Sequence, residues 1–247
     1  MNFKDHFSRQ AGEYAKFRPP YPRALFAFIA KHSPNDTQAL DCATGSGQAA
    51  VALAEFFQNV IAIDASAAQI ASAQPNDCVE YRVARAEATG LPDHSCAAIT
   101  VAQAMHWLDL DDFYTEARRI LQPRGVLVFW AYNYLRLSPE IEAVVRRYHD
   151  EIVGRYWPPE RKMVGRAYLQ LPFPFEEIPH PDFQIEARWT LEHLLGYLRT
   201  WSATQRFQTA NRSDPLELIA RDLAEAWGDP AAERIALWPL TLRFGRA

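Results

Sequence analysis

Short apolar runs recur along the first half of the chain: Gln38 to Cys42, Val60 to Asp64, Val79 to Ala84, Ala97 to Ala102 and Gly125 to Ala131. Apolar runs of this length bounded by turn residues predict buried strands. Helices are predicted between them, over Gln48 to Phe57, Ala67 to Ala73 and Asp111 to Leu121, the last closed by Pro123 and Gly125. The alternation predicts βαβ units and a parallel, open, twisted sheet, whose ligands bind beyond the carboxyl ends of its strands. Asp41, Asp64, Glu87 and Gln103 fall at or just past such ends.

After Asn133 the pattern changes. A helix is predicted from Ser138-Pro139 towards Arg155, followed by a Pro- and aromatic-rich stretch from Tyr156-Trp-Pro-Pro to Phe173-Pro-Phe that suits an irregular cover over a site. Phe183 to Trp189 reads as a strand and Leu191 to Phe207 as helical. Asp214-Pro215-Leu216-Glu217 starts another helix, with Pro at its first position, and Gly228 stops it. Ile235 to Phe244 reads as one final strand, so the sheet is expected to close with two strands after the parallel set.

With 247 residues, about half of them hydrophobic (49%), the chain can bury a substantial core without metals or disulfides. Cys42, Cys78 and Cys96 have no C-x-x-C spacing, which argues against a zinc site and a disulfide framework. The net charge of −4, with no block of Lys or Arg, lacks the footprint of a nucleic-acid binder. Neither a secretory leader nor a bilayer-spanning stretch is readable, so a cytoplasmic protein without membrane partners is expected.

The segment Ala39-Leu-Asp-Cys-Ala-Thr-Gly-Ser-Gly-Gln48 runs from a strand through an acid and two glycines into a helix. Gly45 and Gly47 let the backbone turn and approach a ligand closely. Asp41 discriminates among ligands: a carboxylate repels a phosphate and attracts an ammonium. Gly45-Ser-Gly47-Gln-Ala-Ala50 also fits the G-x-G-x-x-A form of a dinucleotide site, and an ordinary strand-to-helix turn is a third reading. Asp64, ending the second strand, suits a ribose diol, or else a plain helix N-terminal acid. Glu87 is placed to accept from an adenine amine, and Ala88 to offer its amide to a ring nitrogen. A solvated loop acid is the alternative.

The chain resembles the class I S-adenosylmethionine-dependent methyltransferases, in particular methyltransferase type 11 and the trans-aconitate methyltransferase-like group. The resemblance rests on an ordered set. It includes Tyr14-Ala-Lys-Phe-Arg18-Pro19-Pro-Tyr21-Pro22, Asp41 to Gly47, Asp64-Ala-Ser66-Ala-Ala-Gln69, and Glu87-Ala88 to Leu91-Pro92. Further on come Ala102-Gln-Ala-Met-His106-Trp107, Arg119 to Gly125, Tyr156-Trp-Pro-Pro159 and Gly196 to Ala203.

The resemblance implies an α/β, Rossmann-like class I methyltransferase fold, with a seven-stranded, mostly parallel sheet, helices on both faces and a C-terminal helical cap. It implies one domain: residues 1–35 cover the cofactor, 36–135 bind it, 136–182 and 190–230 form the substrate cap, and 183–189 and 235–244 are the final strands. The implied cofactor is S-adenosyl-L-methionine and the implied partner a small-molecule acceptor, methylated on a carboxylate or hydroxyl. No metal is implied, and a monomer or weak homodimer is expected. Asp41, Ala43, Gly45 and Gly47 would frame the methionine moiety, Asp64 the ribose, Ala65 and Gln69 the adenosine wall, Glu87 and Ala88 the adenine edge. Ala102 and Gln103 would line the methionine end, Tyr14 and Arg18 would close over the donor with Arg18 near its carboxylate, and Trp107 would face the sulfonium.

Ala43 stands where the family often has glycine, which suggests that the loop is unstrained there or that the donor sits slightly farther away. His106 is the catalytic candidate, as general base or as hydrogen-bond donor to the substrate; packing under the cap is the third reading. Trp157, Trp189 and Trp201 are read as cap packing by default. Arg161, Arg199 and Arg206 are candidates to pair with a substrate carboxylate, or else surface ion pairs. A donor-binding module without transferase activity and a nicotinamide-dependent oxidoreductase are the alternative functions.

Overall fold

The computed structural model describes residues 17–132, 134–159 and 165–247. Its strands are β1 (Gln38–Cys42), β2 (Asn59–Asp64), β3 (Val79–Val83), β4 (Cys96–Ala102), β5 (Leu121–Ala131), β6 (Glu176–Glu177), β7 (Gln184–Trp189), β8 (Arg234–Pro239) and β9 (Thr241–Arg246). The helices are α1 (Arg23–His32), α2 (Gln48–Leu53), α3 (Ala67–Ala71), α4 (Leu110–Ile120), α5 (Pro139–Arg147), α6 (Leu191–Arg199), α7 (Ser202–Asn211) and α8 (Ala220–Trp227).

Seven strands form one sheet in the order β3-β2-β1-β4-β5-β9-β6. The first five are mutually parallel and β9 runs antiparallel to β5. The continuous apolar runs are explained by burial on both faces. Leu40, Ile61, Ile63, Ile99, Leu127 and Phe129 face a layer containing Phe113 and Ile120 of α4. Their alternate neighbours Ala39, Val60, Ala62, Ala98, Val126 and Val128 pack with Leu25, Phe26 and Ile29 of α1 and with Leu53 of α2. The strand order reverses between β1 and β4, so the crevice beyond these two strands is where a ligand is received.

Three elements differ from expectation. The helix predicted to Phe57 ends at Leu53, because the amides of Phe56 and Phe57 both turn back onto the Leu53 carbonyl before the chain enters β2. The run Ile235 to Phe244 is two strands, broken after Pro239. Of these only β9 joins the main sheet; β8 pairs with β7 in a separate two-stranded sheet. The seventh strand of the main sheet is instead the short β6, which the sequence pattern does not mark.

The cap therefore has its own core and is not purely helical. Ile185, Trp189 and Trp238 of the small sheet share one buried cluster with Ile141 of α5, Leu194 and Tyr197 of α6, and Leu223 and Trp227 of α8. The helix from Pro139 is α-helical to Arg147 and then widens into a π-helical turn over Tyr148–Ile152. Among the described residues no helix is long and apolar enough to cross a membrane.

Candidate functional site

Asp41, next to last in β1, is almost wholly buried, and both of its oxygens are engaged. Thr44 Oγ1 donates to Oδ2 at 2.6 Å and Thr100 Oγ1 donates to Oδ1 at 2.7 Å. Burial raises its carboxyl to about 6 despite the lowering effect of these two hydroxyls, and the negative Asp64 adds to the rise. The two threonines are parts of the site that sequence reading missed, since only the register of β4 against β1 brings Thr100 beside Asp41.

The loop after Asp41 follows a left-handed path, with Ala43 at φ 53° and Gly47 at φ 85°. Of the two expectations at Ala43, the unstrained backbone is not met, for the Cβ-bearing residue occupies a region that costs about 1–2 kcal/mol. At Gly47 a Cβ would overlap the Tyr81 hydroxyl, which donates to the Gln74 carbonyl at 2.7 Å. Asp64 secures the same loop from β2, accepting from the Gly45 amide at 2.9 Å and the Ser66 amide at 2.8 Å. Ala65 is exposed beside it, and the side-chain Oε1 of Gln69 lies near Gly45.

The adenine-edge candidates behave differently from each other. Glu87 Oε1 accepts from the Asp109 amide at 2.9 Å and Oε2 from Arg85 Nε at 3.3 Å, so this carboxylate ties its loop to the start of α4. The Ala88 amide donates to the Arg85 carbonyl at 3.1 Å. This bond closes its own turn. Thr89 is fastened to Glu116 of α4 through both its amide and its hydroxyl. Arg119 beside Glu116 holds that carboxyl down at about 2.

Beyond β4, Gln103 takes φ 59°, its amide donating to the Trp130 carbonyl at 2.8 Å and its Nε2 to the Tyr132 carbonyl at 3.0 Å. Its Oε1 is buried with no hydrogen-bond partner among the described residues. A buried unpaired acceptor costs about 1–3 kcal/mol, which a ligand N–H relieves. Ala102, half-buried, precedes it. Arg18 reaches the same place: its Nη1 donates to the Tyr132 hydroxyl at 3.0 Å, and its guanidinium lies 4.9 Å from the Tyr197 ring centre. The neighbouring Phe17 packs so tightly on α6 that a Cβ at Gly196 would overlap its ring. Pro19 accepts from Gln48 Nε2 at 2.8 Å, at the start of α2. Residues 17 to 19 thus join the glycine loop, the end of β5 and the cap. Tyr14 lies outside the described residues, as does Arg161.

His106 and Trp107 occupy a 3-10 turn, Met105–Trp107, just past the end of β4. The His106 ring centre is 4.8 Å from that of Trp107, and its Nδ1 is 2.7 Å from the hydroxyl of Tyr168, a fully buried residue of the cap segment. Tyr168 was not singled out from sequence, for its partner is distant along the chain. Trp157 and Trp201 stack around His149 inside the cap, while Trp189 packs on Trp238. Arg199, half-exposed, faces Asp214 at 3.9 Å, in accord with the ion-pair reading. Arg206 is half-buried on α7. Among the described residues no three His, Cys, Asp or Glu gather as a metal site.

The Methyltransferase domain family matches residues 40–129. A candidate methyltransferase of Dictyostelium discoideum is 35% identical over 229 residues, covering 91% of this chain and 87% of that protein. An uncharacterised methyltransferase of Mycobacterium tuberculosis is 30% identical over 188 residues, covering 74% and 70%. Among solved structures, a candidate type II methyltransferase from Anaeromyxobacter dehalogenans superposes with a TM-score of 0.87 at 46% identity, over 93% of this chain and 97% of that one.

Proposed function

The chain belongs to the class I S-adenosylmethionine-dependent methyltransferases, and from that premise we infer that it binds S-adenosylmethionine beyond β1 and β4 and methylates a small oxygen acid held under the cap. The observation that carries this reading is that Arg18 and Gln103 are both tied to Tyr132, just past β5, the first through its hydroxyl and the second through its backbone carbonyl. One brings a cation and the other an acceptor buried with no hydrogen-bond partner among the described residues, the pair of groups that the carboxylate and ammonium of an amino-acid moiety require. Asp41 adds negative charge for the same cationic end.

When bound, the donor supplies a methyl group already activated on a sulfonium. The chain's work is then to hold, align and keep dry. The Ala43 to Gly47 loop and Ala102 flank the methionine portion, Asp64 accepts from the ribose hydroxyls, and Ala65, Gln69 and Glu87 border the adenosine. Trp107 presents an aromatic face to positive charge. Alignment of reactants in a water-poor site is worth several kcal/mol of barrier, so no metal is required of these residues.

His106 serves the acceptor side. A carboxylate, with an unperturbed pKa of about 4, is ionised at neutral pH and needs no base, whereas a hydroxyl does. Incubation with methyl-labelled donor and a library of small acids and phenols tests the function. Labelled acid is the expected result; failure to form S-adenosylhomocysteine with any acceptor would leave a binding module. Calorimetry showing NAD preferred over S-adenosylhomocysteine would overturn the donor. For a carboxylate acceptor, His106→Ala should lower turnover by no more than about tenfold, against the hundredfold to ten-thousandfold loss, roughly, of a removed general base.

A further inference from the structure

Two hydroxyls, and among the described residues no cation, hold the Asp41 carboxylate. Thr44 Oγ1 donates to Oδ2 at 2.6 Å and Thr100 Oγ1 to Oδ1 at 2.7 Å, while the Ala50 N–H on α2 also favours the charged form. Both threonines are fixed in place. The Thr44 amide donates to the Ile63 carbonyl at 2.9 Å, and the Thr44 carbonyl accepts from the Gly47 amide at 3.0 Å. Thr100, fully buried on β4, is held opposite Asp41 by strand register.

We propose that Thr44 and Thr100 are positioning residues that hold Asp41 as an anion in the donor-free protein, so that the donor's cationic end meets a charge already in place. A hydroxyl suits this work better than an ammonium or guanidinium would. Its hydrogen bond to a carboxylate is about twice as strong as a neutral one, yet it leaves the negative charge uncancelled. In a buried setting that charge acts over several ångströms, so Asp41 need not touch the donor. Against burial and the negative Asp64 on β2 stand the two hydroxyls, Thr44 foremost. Cys42, next along β1, and Tyr81 on β3 are pushed up by burial and by the Asp41 charge, and stay neutral. Neither α2 nor β4 from Ala97 to Ala102 carries a titratable side chain. The two threonines are unequal: Thr100 Oγ1 also lies 3.5 Å from the Leu40 carbonyl, whereas Thr44 Oγ1 has Oδ2 as its one acceptor among the described residues. A proton arriving on Asp41 is therefore received on Oδ1, as Thr100 turns its O–H to Leu40 and Oδ2 goes on accepting from Thr44. The purpose of this hold rests on the donor-site reading, but the ionisation of Asp41 is a property of the free protein.

Carboxyl-carbon spectra of free protein labelled on aspartate, with Asp41→Asn assigning the signal, read the titration midpoint of Asp41, expected at about 6. Thr100→Val keeps the branched shape and removes the hydroxyl. It should raise that midpoint by about one to two pH units, and Thr100→Ser should restore it. Thr44→Val repeats the reading at the other oxygen and stands in if Thr100→Val does not fold. A valine variant that folds and leaves the midpoint unmoved overturns the proposal. Calorimetry with S-adenosylhomocysteine reads the consequence, as a ratio to the unaltered protein at each pH so that titration of the ligand's own amine cancels. Affinity in Thr100→Val should be lower by about five- to fiftyfold at about pH 6 and within about twofold at about pH 8.5, where Asp41 is ionised in both proteins. An equal loss at both pH values assigns Thr100 to shape alone and overturns the proposal. A raised midpoint with unchanged affinity upholds the hold on the anion and overturns the donor-site reading on which its purpose rests.

Discussion

Asp41 on β1 and Thr100 on β4 are register partners, and the Thr100 hydroxyl donates to the Asp41 carboxylate at 2.7 Å across the strand pair where the sheet order reverses. A carboxylate so placed is a liability to the free protein. Its pKa is raised by burial to about 6, so between the ordinary carboxylate range and that value the folded state keeps a proton that the unfolded chain has lost. Stability from this group is full in acid and declines as pH rises through about 6, a change on the order of 3 kcal/mol. Asp41→Asn should therefore melt higher relative to the unaltered protein at about pH 8 than at about pH 5. A difference in Tm that does not change between the two would contradict the buried ionisation.

The same charge is useful once a cation arrives. Donor affinity should rise with pH through about 6, the value to which burial raises Asp41, and Asp41→Asn should flatten that dependence while weakening binding about tenfold or more at neutral pH. Calorimetry with S-adenosylmethionine across that range measures both. Unaltered affinity in the variant would remove Asp41 from the donor site.

What was legible in the sequence were features settled locally. The apolar runs Gln38 to Cys42, Val60 to Asp64 and Ala97 to Ala102 marked β1, β2 and β4, because strands buried on both faces leave no polar alternation to confuse them. Strand partners were not legible: Phe183 to Trp189 alternates as a strand should, but nothing in it says that it pairs with β8 and not with the main sheet. Glu176 and Glu177 carry no apolar signal and form a strand only because β9 offers an edge. In the site, acids and glycines announced themselves, while Thr100, Tyr132 and Tyr168 are ordinary residues whose meaning comes from partners 29 or more positions away.

Ala43 gives a prediction in the stabilising direction. At φ 53° the alanine bears a penalty of about 1–2 kcal/mol that glycine avoids, while glycine loses about 0.4–1 kcal/mol through its freer unfolded state. Ala43→Gly should raise stability by about 0.5–1 kcal/mol, seen as a higher denaturant midpoint at constant slope. A lower midpoint would mean that the methyl group packs more usefully than its backbone is strained.

Gly47 gives the converse. It caps α2 at φ 85°, and a Cβ there collides with a Tyr81 hydroxyl that is itself held by the Gln74 carbonyl. Gly47→Ala therefore combines backbone strain with displacement of a tethered ring and should cost about 2–4 kcal/mol. Tyr81→Phe removes both the hydroxyl and its tether, so the ring can withdraw. The double variant should recover the steric share of the loss and keep the backbone share of about 1–2 kcal/mol. Denaturation of the four proteins in this cycle separates the two. Strict additivity would show that Tyr81 yields freely and that the glycine is required by its backbone angle alone.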